Sequence, residues 1–311
     1  MSDLLLHHYP LSPFAEKIRL VLGFKNLSWK SVIIPMYMPK PDVVALTGGY
    51  RRTPFLQIGA DIYCDTALIC DVLEHLQPKP TLYPEAVKGV TRIVAQWADS
   101  LVFPVAMAYN FQPAGAAHVL KGWAEQDIKD FVQDRTQMRG GAARMPAADA
   151  TGMYKSYLRR LSHMLENHSF LLGDAPSLAD FSAYHPTWYT LRQVPVLESI
   201  LDATPNVRDW LLRMENMGHG NSQEISSSQA IEISHSSTPK DMSQEAFVDH
   251  HGIALGSQVV ITAESFGLEP TQGELVAATR TRYTLRRQDA RAGTVQVHFP
   301  RNGFILKKVD A

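Results

Sequence analysis

The spacing of apolar residues changes twice along the chain, and each change marks a different kind of structure. Up to Pro78, short apolar runs surround one clear helical repeat. From Glu85 to about Met217, apolar residues recur every three or four positions, which is typical of helices packed on one another. From about Phe247 they recur at every second position, as in strands with one buried face.

The segment up to Pro78 predicts the order strand, helix, strand, loop, two strands and helix. The first strand is Leu4 to Tyr9, and Ser12 can cap a helix that has Pro13 at its first position. The other predicted elements are a strand over 29–34, a mostly irregular loop over 35–49, a hairpin over 55–63 and a helix over 66–76. If the first helix is a crossover, the first two strands are parallel. This order is that of an α/β thioredoxin-like domain.

The patterns divide the chain into four parts. A thioredoxin-like domain covers 1–78, an all-α domain covers 85–217, and a small all-β barrel or sheet covers 246–311. Residues 218–245 are rich in Ser, Gly, Asn and His, so they predict a linker with room for one short helix. Five strands are expected in the last part, which we interpret as an independent unit. Asn302-Gly303 predicts a hairpin turn between the last two of them.

Composition excludes several function classes. The formal net charge of −1 argues against a dominant role with nucleic acid or an anionic membrane. No apolar run approaches the ~20 residues that cross a bilayer, and the N-terminus has no signal-peptide pattern. The two cysteines, Cys64 and Cys70, have no redox or zinc spacing. We therefore expect a cytoplasmic protein. Adjacent residues of a strand point to opposite faces, so neither His7-His8 nor His250-His251 would chelate well, and no cysteine or acid cluster accompanies them. No metal site is therefore expected.

Three short motifs carry candidate chemistry. Pro54 cannot donate to a sheet ladder, so Thr53-Pro54 predicts a strand entrance with backbone groups open to a ligand, through a cis peptide bond. Asp65-Thr66 opens an apolar helix, where N–H groups and a hydroxyl can bind an anion. Ser12 places a hydroxyl at a helix N-terminus, where the pKa of a bound thiol is lowered. Ser12 could instead serve only as a helix cap.

With these motifs in this order, the chain resembles the cytosolic glutathione transferase superfamily, in its Ser-Pro-Phe variant. The resemblance covers about Leu4 to Met217 and rests on Ser12-Pro13-Phe14, Thr53-Pro54 and Asp65-Thr66. It implies a thioredoxin-like domain, an all-helical domain and a homodimer. The β region after Met217 has no counterpart in it.

The resemblance also implies roles for single residues. Ser12, in the motif that ends at Phe14, would stabilise the glutathione thiolate, and Tyr9 is the alternative donor. Arg52 aligns with a basic residue near the glycyl carboxylate, although it could equally be a solvated arginine beside Arg51.

At the remainder of that site, Thr53 and Pro54 would pair with the cysteinyl backbone of glutathione like an added strand. Asp65 would hold the γ-glutamyl ammonium, and Thr66 its carboxylate. An apolar pocket for the second substrate would be lined by Phe103, Met107, Tyr109, Phe111 and Trp188.

Two functions follow from different classes. A serine in the first motif cannot form a mixed disulfide, which favours a glutathione transferase that conjugates the thiolate, with glutathione as co-substrate, to a small, soft, apolar electrophile. The alternative is a non-catalytic scaffold or regulator that binds a partner through its β region. Arg51-Arg52 in place of the commoner Gly-Lys, and the missing Asn-Pro turn before it, support that alternative.

Overall fold

The thioredoxin-like part has the predicted order. The computed structural model describes residues 3–309. It contains β1 (Leu5–His8), α1 (Pro13–Phe24), β2 (Ser28–Ile33), α2 (Pro41–Thr47), β3 (Phe55–Ile58), β4 (Asp61–Cys64) and α3 (Thr66–Leu76). β1 is parallel to β2, and β3 is antiparallel to β1 and β4, as predicted. Helix α2 is the difference, because the loop over 35–49 was expected to be irregular. Pro41 starts it and Gly48, at φ 80°, ends it.

The second part is helical, which confirms the predicted class. Its helices are α4 (Lys88–Trp97), α5 (Phe103–Asn110), α6 (Pro113–Val119), α7 (Glu125–Arg139), α8 (Ala147–Met164), α9 (Leu178–Trp188) and α10 (Pro205–Glu215). Short 3₁₀ segments cover Glu85–Val87 and Pro195–Leu201, and π turns cover Ala98–Val102 and Tyr189–Gln193. A capping box of Ser177 and Asp180 starts α9. The largest apolar core joins these helices to α1 and α3.

The segment 218–245, predicted to be a linker, contains β5 (Asn221–Ile225) and α11 (Ser227–Ser236). β5 pairs in parallel with β2 at the edge of the sheet, where its side chains are largely exposed. This exposure explains why its polar composition resembles that of a linker. Helix α11 begins with a capping box of Ser226 and Gln229, and it buries Ala230 and Ile231.

The five strands expected after Phe247 are present as β6 (Gln258–Ala263), β7 (Thr271–Ala278), β8 (Arg282–Asp289), β9 (Gly293–Pro300) and β10 (Phe304–Lys308). The predicted hairpin between the last two is wrong. The chain does turn at Asn302-Gly303, but β10 pairs with β6 and β9 pairs with β8. Burial of Phe304 and Leu306 opposite Ala263 and Ile261 carries β10 back to the first strand of this region.

The C-terminal region (residues 246–311) is not an independent unit, because its strands continue the thioredoxin-like sheet. The strand order is β10-β6-β7-β8-β9-β4-β3-β1-β2-β5, and β9 lies parallel to β4. At this junction the buried His298 joins Asp61 through Nε2 at 2.8 Å and Thr284 through Nδ1 at 2.9 Å. Tyr50 and Phe304 belong to one shared apolar core, so both regions are stabilised by the same burial.

Candidate active site

Ser12 lies at the N-cap position of α1. It is buried, and its Oγ accepts a hydrogen bond from the N–H of Ala15 at 3.2 Å. The hydrogen bond from Ala15 uses a lone pair of the Ser12 oxygen. Among the described residues, no acceptor takes the proton of the Ser12 hydroxyl. The hydroxyl therefore remains available as a donor at the positive end of a helix. The side chain of Phe14 faces the helical domain. The centre of its ring lies 4.5 Å from that of Phe103 and 4.4 Å from that of His185.

The Thr53–Pro54 peptide bond is cis. Within the described residues, neither the N–H nor the C=O of Thr53 forms a hydrogen bond, and its buried Oγ1 also has no partner. This stretch of backbone can therefore pair with an extended ligand in the way that a strand would.

Asp65 and Thr66 form a polar corner at the start of α3. Asp65 has φ 76°, a conformation that residues other than glycine seldom adopt. Its Oδ1 accepts from the N–H of Ala67 at 2.9 Å, and its own N–H donates to the hydroxyl of Tyr50 at 3.1 Å. Burial raises the pKa of the Asp65 carboxyl, and the N–H of Ala67 and the charge of Arg52 oppose that rise. An acid held here can accept an ammonium group.

A buried charge cluster lies beneath this corner, and the sequence analysis missed it. Lys17 donates to Thr66 Oγ1 at 3.2 Å and to Asp99 Oδ2 at 2.7 Å. Asp99 also contacts Nε2 of His185 at 3.0 Å. Burial opposes ionisation of Asp99, but Lys17 and His185 hold the pKa of its carboxyl below the usual value. A signal existed in the sequence, because Asp99 interrupts an apolar stretch. In the structure this residue lies in a π turn, a feature often found at functional sites.

Arg52 does not point freely to the glycyl end of the site. Its guanidinium donates to the carbonyl of Phe266 at 2.7 Å and to that of Ser265. Both carbonyls belong to the loop between β6 and β7 (residues 264–270, the β6–β7 loop). Asp65 is 3.9 Å away on the other side. The role expected for Arg52 at the glycyl carboxylate is therefore opposed by its contacts with the C-terminal region.

Arg51 is buried and anchors the same loop. It forms ion pairs with Asp134 of α7 and with Glu269 of the β6–β7 loop. The N–H of Gly267 donates to the carbonyl of Met138 at 2.6 Å. Three parts of the chain therefore meet at the glycyl end: the thioredoxin-like sheet, α7 and the C-terminal region.

Lys40 supplies a cation at this end that sequence reasoning missed. Its side chain is buried, yet Nζ forms no ion pair or hydrogen bond with the described residues. Burial, with a smaller contribution from Arg135, lowers its pKa to about 8. An ammonium that has no counter-ion among the described residues favours an anionic ligand. Its place between Pro39 and Pro41 was the available signal.

Tyr9 borders the same space. Its hydroxyl is 3.2 Å from Nη2 of Arg135, and Nζ of Lys40 lies 5.9 Å from the centre of its ring. Its carbonyl accepts from the N–H of Ser12 at 3.1 Å, which ties the two candidate donors to one turn.

The five residues expected to line the electrophile pocket fall into two groups. Phe103 packs on Phe14, Phe111 lies 6.1 Å from Tyr189 between ring centres, and Met107 is partly buried. Tyr109 and Trp188 lie in the helical core instead. The hydroxyl of Tyr109 donates to the carbonyl of Leu197, and Trp188 is buried at the end of α9.

Comparisons with known proteins identify the family of the chain. A family model described as glutathione S-transferase, N-terminal domain, matches residues 6–81, and the corresponding C-terminal domain model matches 144–217. A solved structure of a GST-like protein from Pseudomonas syringae is 43% identical, with a TM-score of 0.83 over 99% of this chain and 100% of that chain. The chain belongs to the glutathione S-transferase superfamily. Because that relative is matched over its whole length, the extra β region is shared by another member of the superfamily.

More distant members match only part of this glutathione S-transferase-like chain. A family member from Pseudomonas fluorescens, solved with two glutathione molecules bound, is 13% identical, with a TM-score of 0.53 over 69% of this chain and 89% of that one. FtsZ-localized protein A from Caulobacter vibrioides is 24% identical over 183 residues, which are 57% of this chain and 73% of that protein.

Among residues 3–309, no helix combines the length and apolarity needed to cross a bilayer. No cluster of three metal-ligating side chains occurs in the same residues.

Proposed function

We propose that the protein is a glutathione transferase that joins the glutathione thiolate to a soft electrophile. The observation that carries this proposal is the hydroxyl of Ser12 at the N-terminus of α1, whose proton has no acceptor among the described residues. The backbone N–H and C=O of Thr53 likewise have no partner there. A thiol has a pKa of about 8.5 in water, so a donor and a helix N-terminus are needed to populate the thiolate at neutral pH.

The site would hold glutathione along its whole length. The ammonium of the γ-glutamyl group meets Asp65, and its carboxylate meets the N–H and hydroxyl of Thr66. The cysteinyl backbone pairs with Thr53, and Lys40 takes the glycyl carboxylate. Rate enhancement then comes from stabilising the thiolate and positioning it against the second substrate.

We also propose a homodimer. Val90, Ile93 and Leu101 lie on the outer side of the first helices of the second domain and are 49%, 69% and 53% exposed. A stripe of this kind is suited to burial against a second copy.

Both cysteines are unpaired and buried, which agrees with a reducing compartment such as the cytoplasm.

Calorimetric titration with reduced glutathione, followed by turnover measurements, tests the main proposal. We expect Ser12→Ala to bind glutathione nearly as well as the wild type but to lose about 10- to 100-fold in turnover, because a charge-assisted hydrogen bond is removed. Unchanged turnover in Ser12→Ala, with a large loss in Tyr9→Phe, would transfer the thiolate role to Tyr9.

A non-catalytic scaffold is the second candidate. It is supported by the similarity to FtsZ-localized protein A, whose name describes a localisation and not a reaction. It is also supported by the hydrogen bond that Arg52 donates to the β6–β7 loop. No heat of binding at several millimolar glutathione would favour this candidate. Retention on immobilised glutathione that is lost in Asp65→Ala would favour the transferase.

A further inference from the structure

A buried arginine lies beneath the turn that carries Tyr9 and Ser12. Nη2 of Arg19 donates to the carbonyl of Pro10 at 3.0 Å. Nη1 of Arg19 lies 3.5 Å from the carbonyl oxygen of Tyr9, the same oxygen that accepts from the N–H of Ser12. The backbone of this turn, which carries both candidate donors to the thiolate, is therefore held by one guanidinium.

The ring of His8 fixes that guanidinium from the side of the sheet. Burial, with a smaller contribution from Arg19, lowers the pKa of His8 to about 3, so the ring is neutral at neutral pH. Nδ1 of His8 lies 3.0 Å from Nη1 of Arg19, and it must be the acceptor because a guanidinium only donates. Nε2 then carries the proton and donates to Oγ of Ser31 on β2 at 2.9 Å. Arg19 is thereby tied to both β1 and β2.

The counter-ion of Arg19 is a second buried residue of α1. Oε2 of Glu16 accepts from Nη2 of Arg19 at 2.7 Å and from Nε at 3.0 Å. Burial opposes ionisation of Glu16, but His219 and Arg19 together hold the pKa of its carboxyl below the usual value. The charge of this carboxylate therefore depends on a residue outside α1.

His219 reaches Glu16 from the segment that follows the helical domain. Its side chain is half-buried, and its Nε2 lies 3.0 Å from Oε1 of Glu16. Backbone contacts hold the segment in place, because Trp29 Nε1 donates to the carbonyl of His219 at 2.8 Å. A Cβ on Gly23 would also lie 2.0 Å from the carbonyl oxygen of Gly218, so the backbones meet closely. The imidazole can therefore be replaced while these contacts remain.

We propose that His219 is a positioning residue for the glutathione thiolate, and that it acts through Glu16 and Arg19. This inference rests on the proposed transferase function. The imidazole fixes the carboxylate, the carboxylate fixes the guanidinium, and the guanidinium fixes the carbonyls of the turn. Without the imidazole, one oxygen of a buried carboxylate loses its partner, so the ion pair and the turn can shift together. A small displacement of the Ser12 hydroxyl lowers the rate of reaction without removing the contacts that bind glutathione.

Replacement of the imidazole tests this inference. We expect His219→Leu to lower kcat by about 10-fold and to raise the pKa of the bound thiol by about one unit, because a charge-assisted hydrogen bond is lost. Ultraviolet absorbance of the thiolate gives that pKa. Binding of S-methylglutathione, measured by calorimetry, should stay unchanged. A purely structural role would instead lower the free energy of unfolding without changing the pKa of the bound thiol.

Two further variants test the path from His219 to the turn. His219→Gln keeps an N–H group that can donate to Glu16, so it should restore most of the kcat and of the thiol pKa. In a Glu16→Gln background the path is already broken, so adding His219→Leu should change kcat by less than about 2-fold. Independent, additive losses in that double variant would overturn the path through Glu16.

His235→Leu is the matched control, since His235 is an exposed histidine of the same segment 218–245 and contacts the carbonyl of Arg291 at 3.1 Å. Its kinetics should equal those of the wild type. Wild-type kcat and thiol pKa in His219→Leu would overturn the inference, as would equal losses in His219→Leu and His235→Leu.

Hydrogen exchange separates this inference from the proposed function. Without any ligand, the backbone amides of residues 9–15 should exchange faster in His219→Leu than in the wild type or in His235→Leu. Unchanged exchange would overturn the positioning of the turn. Absence of glutathione binding to the wild type would overturn the proposed function instead, so exchange and calorimetry distinguish the two failures.

Discussion

The two ends of the proposed glutathione site are built in opposite ways. At the γ-glutamyl end, Asp65 and Thr66 are placed by the start of a single helix and supported by the buried Lys17–Asp99 pair. At the glycyl end, Arg51 and Arg52 are both engaged by residues far away in the chain. The γ-glutamyl end is therefore a local motif supported by a buried ion pair, whereas the glycyl end depends on the C-terminal region.

This contrast shows why the role of one site residue can be predicted from a short sequence motif, whereas the role of another cannot. The role of an N-terminal helix residue follows from local backbone geometry, which the sequence encodes directly. An arginine on a loop can reach partners in several directions, so tertiary structure decides which one it binds. Here the β6–β7 loop binds Arg52, and Lys40 is left as the available cation.

The largest effect, on the free energy of unfolding, is expected at the ion pairs that join Arg51 to α7 and to the β6–β7 loop. Asp134→Asn removes a carboxylate that pairs with both Arg51 and Arg135, and among the described residues it leaves Glu269 as the counter-ion of the buried Arg51. Loss of one partner of a buried pair typically costs about 3–5 kcal/mol. Urea unfolding measures that change. Asp130→Asn is the control, because Asp130 lies one turn earlier on α7 and accepts only from Gln126 among the described residues. Equal stability of the two variants would mean that Arg51 does not hold the glycyl end.

A smaller effect is expected at the γ-glutamyl end. Asp65→Asn keeps a helix-capping side chain that tolerates positive φ, and it removes only the charge that meets an ammonium. We expect about 10- to 100-fold weaker glutathione binding by calorimetry, with little change in stability. Unchanged affinity would show that this end is only a helix cap, and the contrast between the two ends would disappear.

The smallest effect is expected for Lys40 and Arg52. Lys40→Gln should weaken binding of S-methylglutathione, which has no titrating thiol, by about 10-fold, while Arg52→Gln should bind nearly as the wild type. The pKa of Lys40 is lowered to about 8 by burial, so the ammonium is lost as pH rises through that value. The γ-glutamyl ammonium also titrates near this pH, so affinity should fall in both proteins. Wild-type affinity should fall more steeply above about pH 8 than that of Lys40→Gln, because only the wild type also loses the charge of Lys40. A larger loss in Arg52→Gln would restore the role first expected for that residue.

Much of the fold could be predicted because its signals are local. Ser12 before Pro13 specifies one helix start in a short window, and the apolar alternation after Phe247 specifies strands. The pairing of β9 with β4 could not be predicted in this way, since no short-range pattern states which edges meet. The same limit applies to the site. Ser12 and Asp65 were identified from helix starts, whereas the contacts of Arg135 and Lys40 depend on α7 and α2 meeting in three dimensions.

The parallel pairing of β4 with β9 also bears on how the protein is made. Tyr63 pairs with His298, so the partner of an early strand leaves the ribosome long after that strand does. Until then β4 presents an uncovered edge, and an exposed edge can pair with another chain. The sheet can be completed only after β9 has been synthesised, since non-local contacts form only after both segments exist. A nascent chain of this protein is consequently exposed to aggregation at the edge of β4 during the whole synthesis of the residues between β4 and β9.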